Sequence, residues 1–340
     1  MKKILTLSLT LSLSIVHFVK AQQDPQFTQF MYIKQAYNPA FVGTDGTICF
    51  NALYRQQWVN FPGAPKTGLF AFNMPIAKYN LGVGMYIAND QLGAMAQTLV
   101  RAQLAYHIHI PTKIPSLLSV GVDGGVLQTK INGTFIAPQT MNDPLIPSNP
   151  LYNSGTLGQY GTNSPLLNKI IPDFSLGLYY AMPNKMYVGL SSTHLAGTVI
   201  QGSQATGLNP QDPGYNLSFD VTRHYYLISG YTFSFSGGEH KLTPNIKIKT
   251  DGSITQADFN LTYMLQNQFW LGATYRLQDA IAPMVGWQGK GFKIGYSYDI
   301  TLSQIKGYSA GTHEIFLGYC MKPKPVPKKA SHWNVRYFED

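Results

Sequence analysis

The sequence predicts an all-β fold, a transmembrane antiparallel β-barrel of about 14 strands. An irregular or short-helical segment precedes the barrel, and a Lys/Pro-rich tail follows it. Three observations predict this class. The 340 residues are only 12% charged but 13% aromatic, with 22 tyrosines and 32 glycines; a soluble domain carries about 25% charge. Short stretches alternate apolar and polar residues with a period of two, the pattern of a wall between lipid and a lumen. The connections between those stretches alternate short and long, as periplasmic turns and outer loops do. Every backbone N–H and C=O in a bilayer must pair within the protein, so the sheet has to close. An aromatic-rich soluble sandwich or propeller is the competing class.

Residues 1–21 read as a signal peptide. Lys2 and Lys3 form its basic end, Ile4 to Val16 its apolar stretch, and Val19-Lys20-Ala21 its cleavage site, which makes Gln22 the mature start. No cysteine follows that site, so the chain is not a lipoprotein. Nothing beyond residue 21 approaches the roughly 18 apolar residues of a spanning helix. Without Lys2, Lys3 and Lys20 the formal charge falls from +9 to +6, and no basic stripe remains. Nucleic acid is therefore excluded as a partner, and outer-membrane lipid is expected around the wall.

Residues 22–45 lack strand alternation. Asp24-Pro25, Asn38-Pro39 and Gly43 punctuate them, and Phe27, Phe30, Met31, Tyr32, Ile33, Tyr37 and Phe41 make them apolar. So many aromatics argue against a disordered leader, and the segment is expected to tuck into or under the barrel.

The barrel is expected over 46–321. Its candidate strands span 46–58, 66–76, 79–90, 96–110, 116–130, 172–183, 185–196, 216–236, 240–250, 252–265, 267–277, 280–289, 291–302 and 311–321. The stretch 216–236 is long enough to be two. In the first strand Phe50, Ala52 and Tyr54 oppose Asn51, Leu53 and Arg55; near the end Phe292, Ile294, Tyr296, Tyr298 and Ile300 oppose Lys293, Gly295, Ser297 and Asp299. Connections after even strands are short. Those after odd strands are longer, including 61–65, 89–95 and 132–171, with 251 and 278–279 as exceptions. Long loops face outward in such barrels, so both termini are expected in the periplasm.

Charges of both signs fall on the inward phase: Arg55, Arg101, Lys247, Lys249, Asp258, Arg276, Lys293 and Asp299. They either line a channel or pair with one another, and a barrel of about fourteen strands has room for both. His107 and His109 share a strand face, but no third metal ligand is near them in sequence. Ser297, Asp299 and His313 sketch a hydrolase triad in which nothing brings His313 to the other two. No phosphate loop, dinucleotide fingerprint, HExxH or CxxC occurs. No catalytic, metal or cofactor site is expected.

Several stretches together resemble one family. ALYRQQWVNFPGAPKT (Ala52 to Thr67), QQDPQFTQFMYIKQAYNPAFVG (Gln22 to Gly43), YRLQDAIAP from Tyr275, IGYSYDI from Ile294 and SAGTHEIFLGY from Ser309 are similar to the PorP/SprF outer-membrane proteins of type IX secretion. Thr28 and Phe30 stand where that family has Ser and Tyr, and residues 132–215 carry no match. The resemblance implies a non-enzymatic component of the type IX secretion and gliding machinery. Its partners would be a large secreted surface adhesin outside and a periplasmic lipoprotein or the secretion motor and ring below. The resemblance marks Asn38, Pro39, Arg55, Gln57, Trp58, Pro65, Lys66, Tyr298, Asp299, His313 and Glu314 as structural motif positions. A passive or substrate-specific porin is the alternative.

Two further features stand apart from the resemblance. The tail 322–340 begins as an extended Lys/Pro spacer and ends in aromatics. Lys322, Lys324, Trp333 and Phe338 suit it to docking a periplasmic partner, or it is inert. The only cysteines are Cys49, in the first strand, and Cys320, in the last. Closure makes these strands the antiparallel seam. Both cysteines then lie at the periplasmic end and face the lumen, either bridged or as two separate buried thiols.

Overall fold

The structure is a computed structural model that describes residues 24–111, 114–131, 167–204 and 215–323. The expected signal peptide, most of the loop 132–171 and the tail beyond residue 323, with Lys324, Trp333 and Phe338, lie outside the described residues.

The strands are β1 (Ile48–Gln56), β2 (Lys66–Ile76), β3 (Leu81–Leu92), β4 (Met95–Ile110), β5 (Ser116–Ile131), β6 (Leu167–Met182) and β7 (Met186–Thr193). A hairpin, β8 (Val199–Gln204) and β9 (Tyr215–Asp220), follows, then β10 (His224–Tyr231) and β11 (Phe233–Phe235). The rest are β12 (His240–Thr250), β13 (Thr255–Leu265), β14 (Phe269–Arg276), β15 (Ala280–Gly289), β16 (Phe292–Thr301) and β17 (Thr312–Met321). Counting β10 and β11 as one position, fourteen antiparallel strands close into a barrel, with β1 hydrogen-bonded to β17 from Ile48↔Met321 to Gln56↔His313. Among the described residues no helix is long and apolar enough to cross a membrane.

The period-two pattern sets the two faces. Tyr54 is 48% exposed and the next residue, Arg55, 1%. Such alternation wraps the wall in outward Phe, Leu, Ile, Val and Tyr, while the inward set is largely polar.

One open expectation is settled and three are corrected. The stretch 216–236 divides, as its length allowed: among the described residues β9 pairs only with β8, and the barrel position is β10 plus β11. Pro244, with no N–H to donate, stands at the interruption, between the pairs Gly230↔Asn245 and Phe233↔Leu242. β6 starts at Leu167, so 167–171 are wall and not loop. β3 and β4 extend until only Gly93-Ala94 separates them, and Gly93 supplies the positive φ (57°) of a tight turn. β1 stops at Gln56 because Trp58 adopts a left-handed backbone (φ 46°).

The seam places Cys49 directly opposite Cys320 with their Cα atoms 4.2 Å apart, and the two sulfurs are bonded. The bond joins residues 271 apart in sequence. Closing so long a loop removes about 5.6 kcal/mol of chain entropy from the unfolded state. Denatured, unreduced protein should therefore migrate faster than reduced protein in a gel. A Cys320→Ser variant should migrate identically under both conditions and still fold, because the seam ladder does not depend on the sulfurs. Two alkylatable thiols in unreduced protein would contradict the bond.

The chain before β1 enters the barrel. Asp24 contacts His194, His224 and Tyr226, where β7 ends and β10 begins. Val42 contacts His107 near the opposite end, where β3 starts. Residues 24–44 thus thread the lumen from the long-loop end to the end where β1 begins and β17 finishes. Among the described residues Asp24 and Met321 are at opposite ends of the barrel, and the chain termini themselves lie outside the described residues. The sequence shows where β1 starts, but not that the segment before it doubles back through the lumen.

Candidate functional site

The threaded segment is a plug. Three short 3₁₀ turns, Phe30–Tyr32, Lys34–Ala36 and Pro39–Phe41, give it its shape. Pro39 fits the first position of its turn because no N–H is needed there. Asn38 caps that turn by accepting from Ala40 N–H at 2.9 Å. The same side chain donates from Nδ2 to the backbone carbonyls of Leu178 (2.9 Å) and Leu190 (3.2 Å), fixing the plug to β6 and β7. Gln35 does likewise on the other wall, donating to Phe72 O (2.8 Å) and Met85 O (2.9 Å). Phe27, Phe30, Ile33 and Tyr37 are buried against inward Leu53, Leu69, Tyr86 and Phe316. Tyr32 packs on Trp270 and Phe316, with ring centroids 5.0 and 5.5 Å apart.

The wall is hollowed to receive it. A Cβ on Gly82 would fall on the Val42 carbonyl, one on Gly121 on the backbone of Pro39 and Ala40, and one on Gly177 on the Asn38 side chain. The absent side chains make the grooves in which the plug backbone lies. His107 Nε2 lies 2.9 Å from Val42 O, so it seats the plug; His109 is exposed.

One charged network locks the upper plug to the seam. Arg55 donates to Asp299 (2.7 Å), Glu314 (3.0 Å) and the Thr28 hydroxyl (3.0 Å). Glu314 accepts from Thr28 N–H (2.8 Å) and Gln29 N–H (2.7 Å), and Thr28 donates its hydroxyl to Asp299 (2.7 Å). Arg276 reaches Asp299 at 3.1 Å, and Lys247 meets Asp258 at 2.8 Å. Three cations, Arg55, Lys247 and Arg276, thus face three carboxylates, Asp258, Asp299 and Glu314, all almost wholly buried. Of the two arrangements left open for the inward charges, the structure shows pairing for these.

A second network fastens the start of the plug. Arg101 pairs with Asp173; His194 bridges Asp173 (Nδ1, 2.9 Å) and Asp24 (Nε2, 2.8 Å). Burial works against a charged ring at His194, yet the Asp24 and Asp173 carboxylates outweigh it and push the group up to about 9. Tyr226 donates to Asp24 at 2.6 Å, and Lys249 donates to its backbone carbonyl at 3.1 Å. A small cavity opens here beside Asp24, His194, His224 and Tyr226. The β8–β9 hairpin leans over it, Ile200 packing on inward Leu127, Ile131 and Leu167. Sequence reasoning missed Asp24, Asp123, Asp173, His194 and His224. Asp123, 3.8 Å from Arg101, and Asp173 sit on the inward phase of β5 and β6, a signal present in the sequence, whereas Asp24 reads there only as turn punctuation.

The remaining motif residues are rim and outer wall. Gln57 N–H bonds Pro65 O at 2.9 Å and Trp58 N–H bonds the Thr312 hydroxyl at 3.1 Å, tying the β1–β2 loop to the seam. Lys66 is exposed opposite Gln56. Tyr298 donates to Ala310 O at 2.7 Å. His313 lies 2.7 Å from the Tyr296 hydroxyl, on the outer face, while Ser297 and Asp299 face the lumen. The wall separates the members of the sketched triad. Lys322 follows the end of β17 with no regular structure.

The profile of the family described as "Type IX secretion system membrane protein PorP/SprF" matches residues 19–319. No curated protein matches the chain in sequence. Similar solved structures are outer-membrane barrels. The P. putida toluene transporter TodX has 12% identity and a TM-score of 0.48, over 85% of this chain and 94% of that one. The CymD monoaromatic hydrocarbon channel has 11% identity and a TM-score of 0.47, over 86% and 92%. The Acinetobacter baumannii outer membrane protein Omp33 has 8% identity and a TM-score of 0.42, over 81% and 99%.

Proposed function

Because this chain belongs to the PorP/SprF family of type IX secretion system membrane proteins, we propose that it is a plugged, non-enzymatic barrel that serves the secretion machinery as an outer-membrane docking platform. In this reading it supports the secretion or surface retention of a large adhesin-like protein and serves gliding. The long-loop end faces outward and offers the adhesin its site. The opposite end and the tail, with Lys322 and Lys324 for attraction and Trp333 and Phe338 for burial, meet a periplasmic lipoprotein or the motor and ring. Asp24 would then lie toward the outer mouth and Met321 at the periplasmic side.

The observation that carries the reading is the plug. Residues 24–44 fill the lumen with buried aromatics and paired charge, which favours a scaffold over the porin alternative. Purified protein in planar bilayers should show no steady conductance comparable to a general porin; such conductance would sink the reading. From the same native membranes, full-length protein should co-purify a periplasmic partner that a truncation after Met321 loses, with insertion unchanged. Equal recovery would remove the tail from the account.

A further inference from the structure

We propose that Asp24, His194 and His224 form a site for a divalent transition metal of the zinc type, at the long-loop end of the lumen. One ligand atom from each residue lies within 4.8 Å of the others. His194 Nε2 is 2.8 Å from Asp24 Oδ1, and His224 Nδ1 is 3.8 Å from Asp24 Oδ2. Ligands about 2.0–2.1 Å from a tetrahedral zinc stand roughly 3.3 Å apart, and the two Asp24–histidine separations, each to its own carboxylate oxygen, fall on either side of that value.

His224 supplies the second, independent observation. It is 3% exposed, and neither ring nitrogen has a hydrogen-bond partner among the described residues. A buried imidazole with two idle nitrogens is costly unless something takes a lone pair. His194 is built as metal-binding histidines are: its Nδ1 lies 2.9 Å from Asp173 Oδ1, which fixes the ring and leaves Nε2 for the metal. Arg101 in turn holds Asp173 at 2.6 Å. Tyr226 and Lys249 orient Asp24 from its other sides. The small cavity lined by all three residues gives water the fourth position.

The donor set is two imidazoles and one carboxylate, which suits zinc, cobalt or nickel and not the all-oxygen shells of calcium or magnesium. On binding, the metal takes the place of the proton between His194 Nε2 and Asp24, and that proton leaves to solvent. The metal would clip the start of the plug to the ends of β7 and β10. The site does not depend on the secretion role.

The test uses full-length barrel in detergent, carried on a tag without histidine and stripped with chelator. Co²⁺ should bind one per barrel with the visible absorption of a four-coordinate ion, and Zn²⁺ should displace it. His224→Ala should abolish that binding, and Asp173→Asn should weaken it about 10–100-fold. Retention of heat-modifiable gel mobility shows that the variants are folded. If His224→Ala loses that mobility, Asp24→Asn, outside the wall, gives the same readout. Absence of stoichiometric binding by the parent protein, or unchanged binding in the folded variant, overturns the site.

Discussion

Replacing Arg55 with alanine is expected to cost about 3–5 kcal/mol, the range for breaking one side of a buried ion pair, and to loosen the upper plug. Glu314 is fully buried, and Arg55 is its cationic partner at 3.0 Å. Asp299 keeps Arg276 at 3.1 Å, so the uncompensated charge falls mainly on Glu314. Three cations facing three carboxylates become two facing three. The N–H groups of Thr28 and Gln29 still point at Glu314, so the carboxylate cannot take up a proton without weakening the bonds that seat the plug. The variant should lose heat-modifiable mobility at lower temperature than the parent and open to trypsin at Lys34. Arg55→Lys should fall between, since an ammonium keeps the charge but not the forked geometry. Adding Glu314→Gln to Arg55→Ala should recover part of the loss by restoring charge balance. An Arg55→Ala barrel indistinguishable from the parent in both assays would mean that the network does not hold the plug.

Gly121→Leu is expected to expel the plug, giving steady conductance where the parent has none. Its side chain would have to occupy the space of the Pro39–Ala40 backbone. Overpacking costs about 1–3 kcal/mol where side chains can adjust. Here the obstacle is backbone, and the wall is pinned by the pairs Gly121↔Ala105 and Gly121↔Gly177 on both sides. The element free to move is the 3₁₀ turn Pro39–Phe41, which is held by side-chain bonds and apolar contact. Gly68→Leu is the control: a Cβ there meets nothing within 4 Å, and its strand neighbours Thr67 and Leu69 are the inward residues. Gly121→Leu barrels that stay closed, like the control, would show that the groove does not retain the plug.

Wall, strand order and family were legible in the sequence because each rests on local pattern. Strict alternation at Phe50 to Arg55 and Phe292 to Ile300 fixes which residue faces lipid, since successive Cβ atoms of a strand point to opposite sides. Closure follows from the bilayer's intolerance of unpaired backbone, and closure alone brings residue 49 beside residue 320. The strand ends read less well. Trp58, Gly93 and Pro244 act through backbone conformation or a missing donor, which composition only hints at.

The interior was decided by tertiary structure alone. Phase says that Arg55, Asp299 and Glu314 point inward, but not that they meet over Thr28 of the plug. Phase also cannot say that Asp24, His194 and His224 converge, because 24 and 224 are joined only through the closed wall and a segment folded back along the lumen. Lumen width, plug direction and the glycine grooves depend on how far each strand is staggered against the next, a sum over fourteen pairings. No single strand carries that quantity in its sequence.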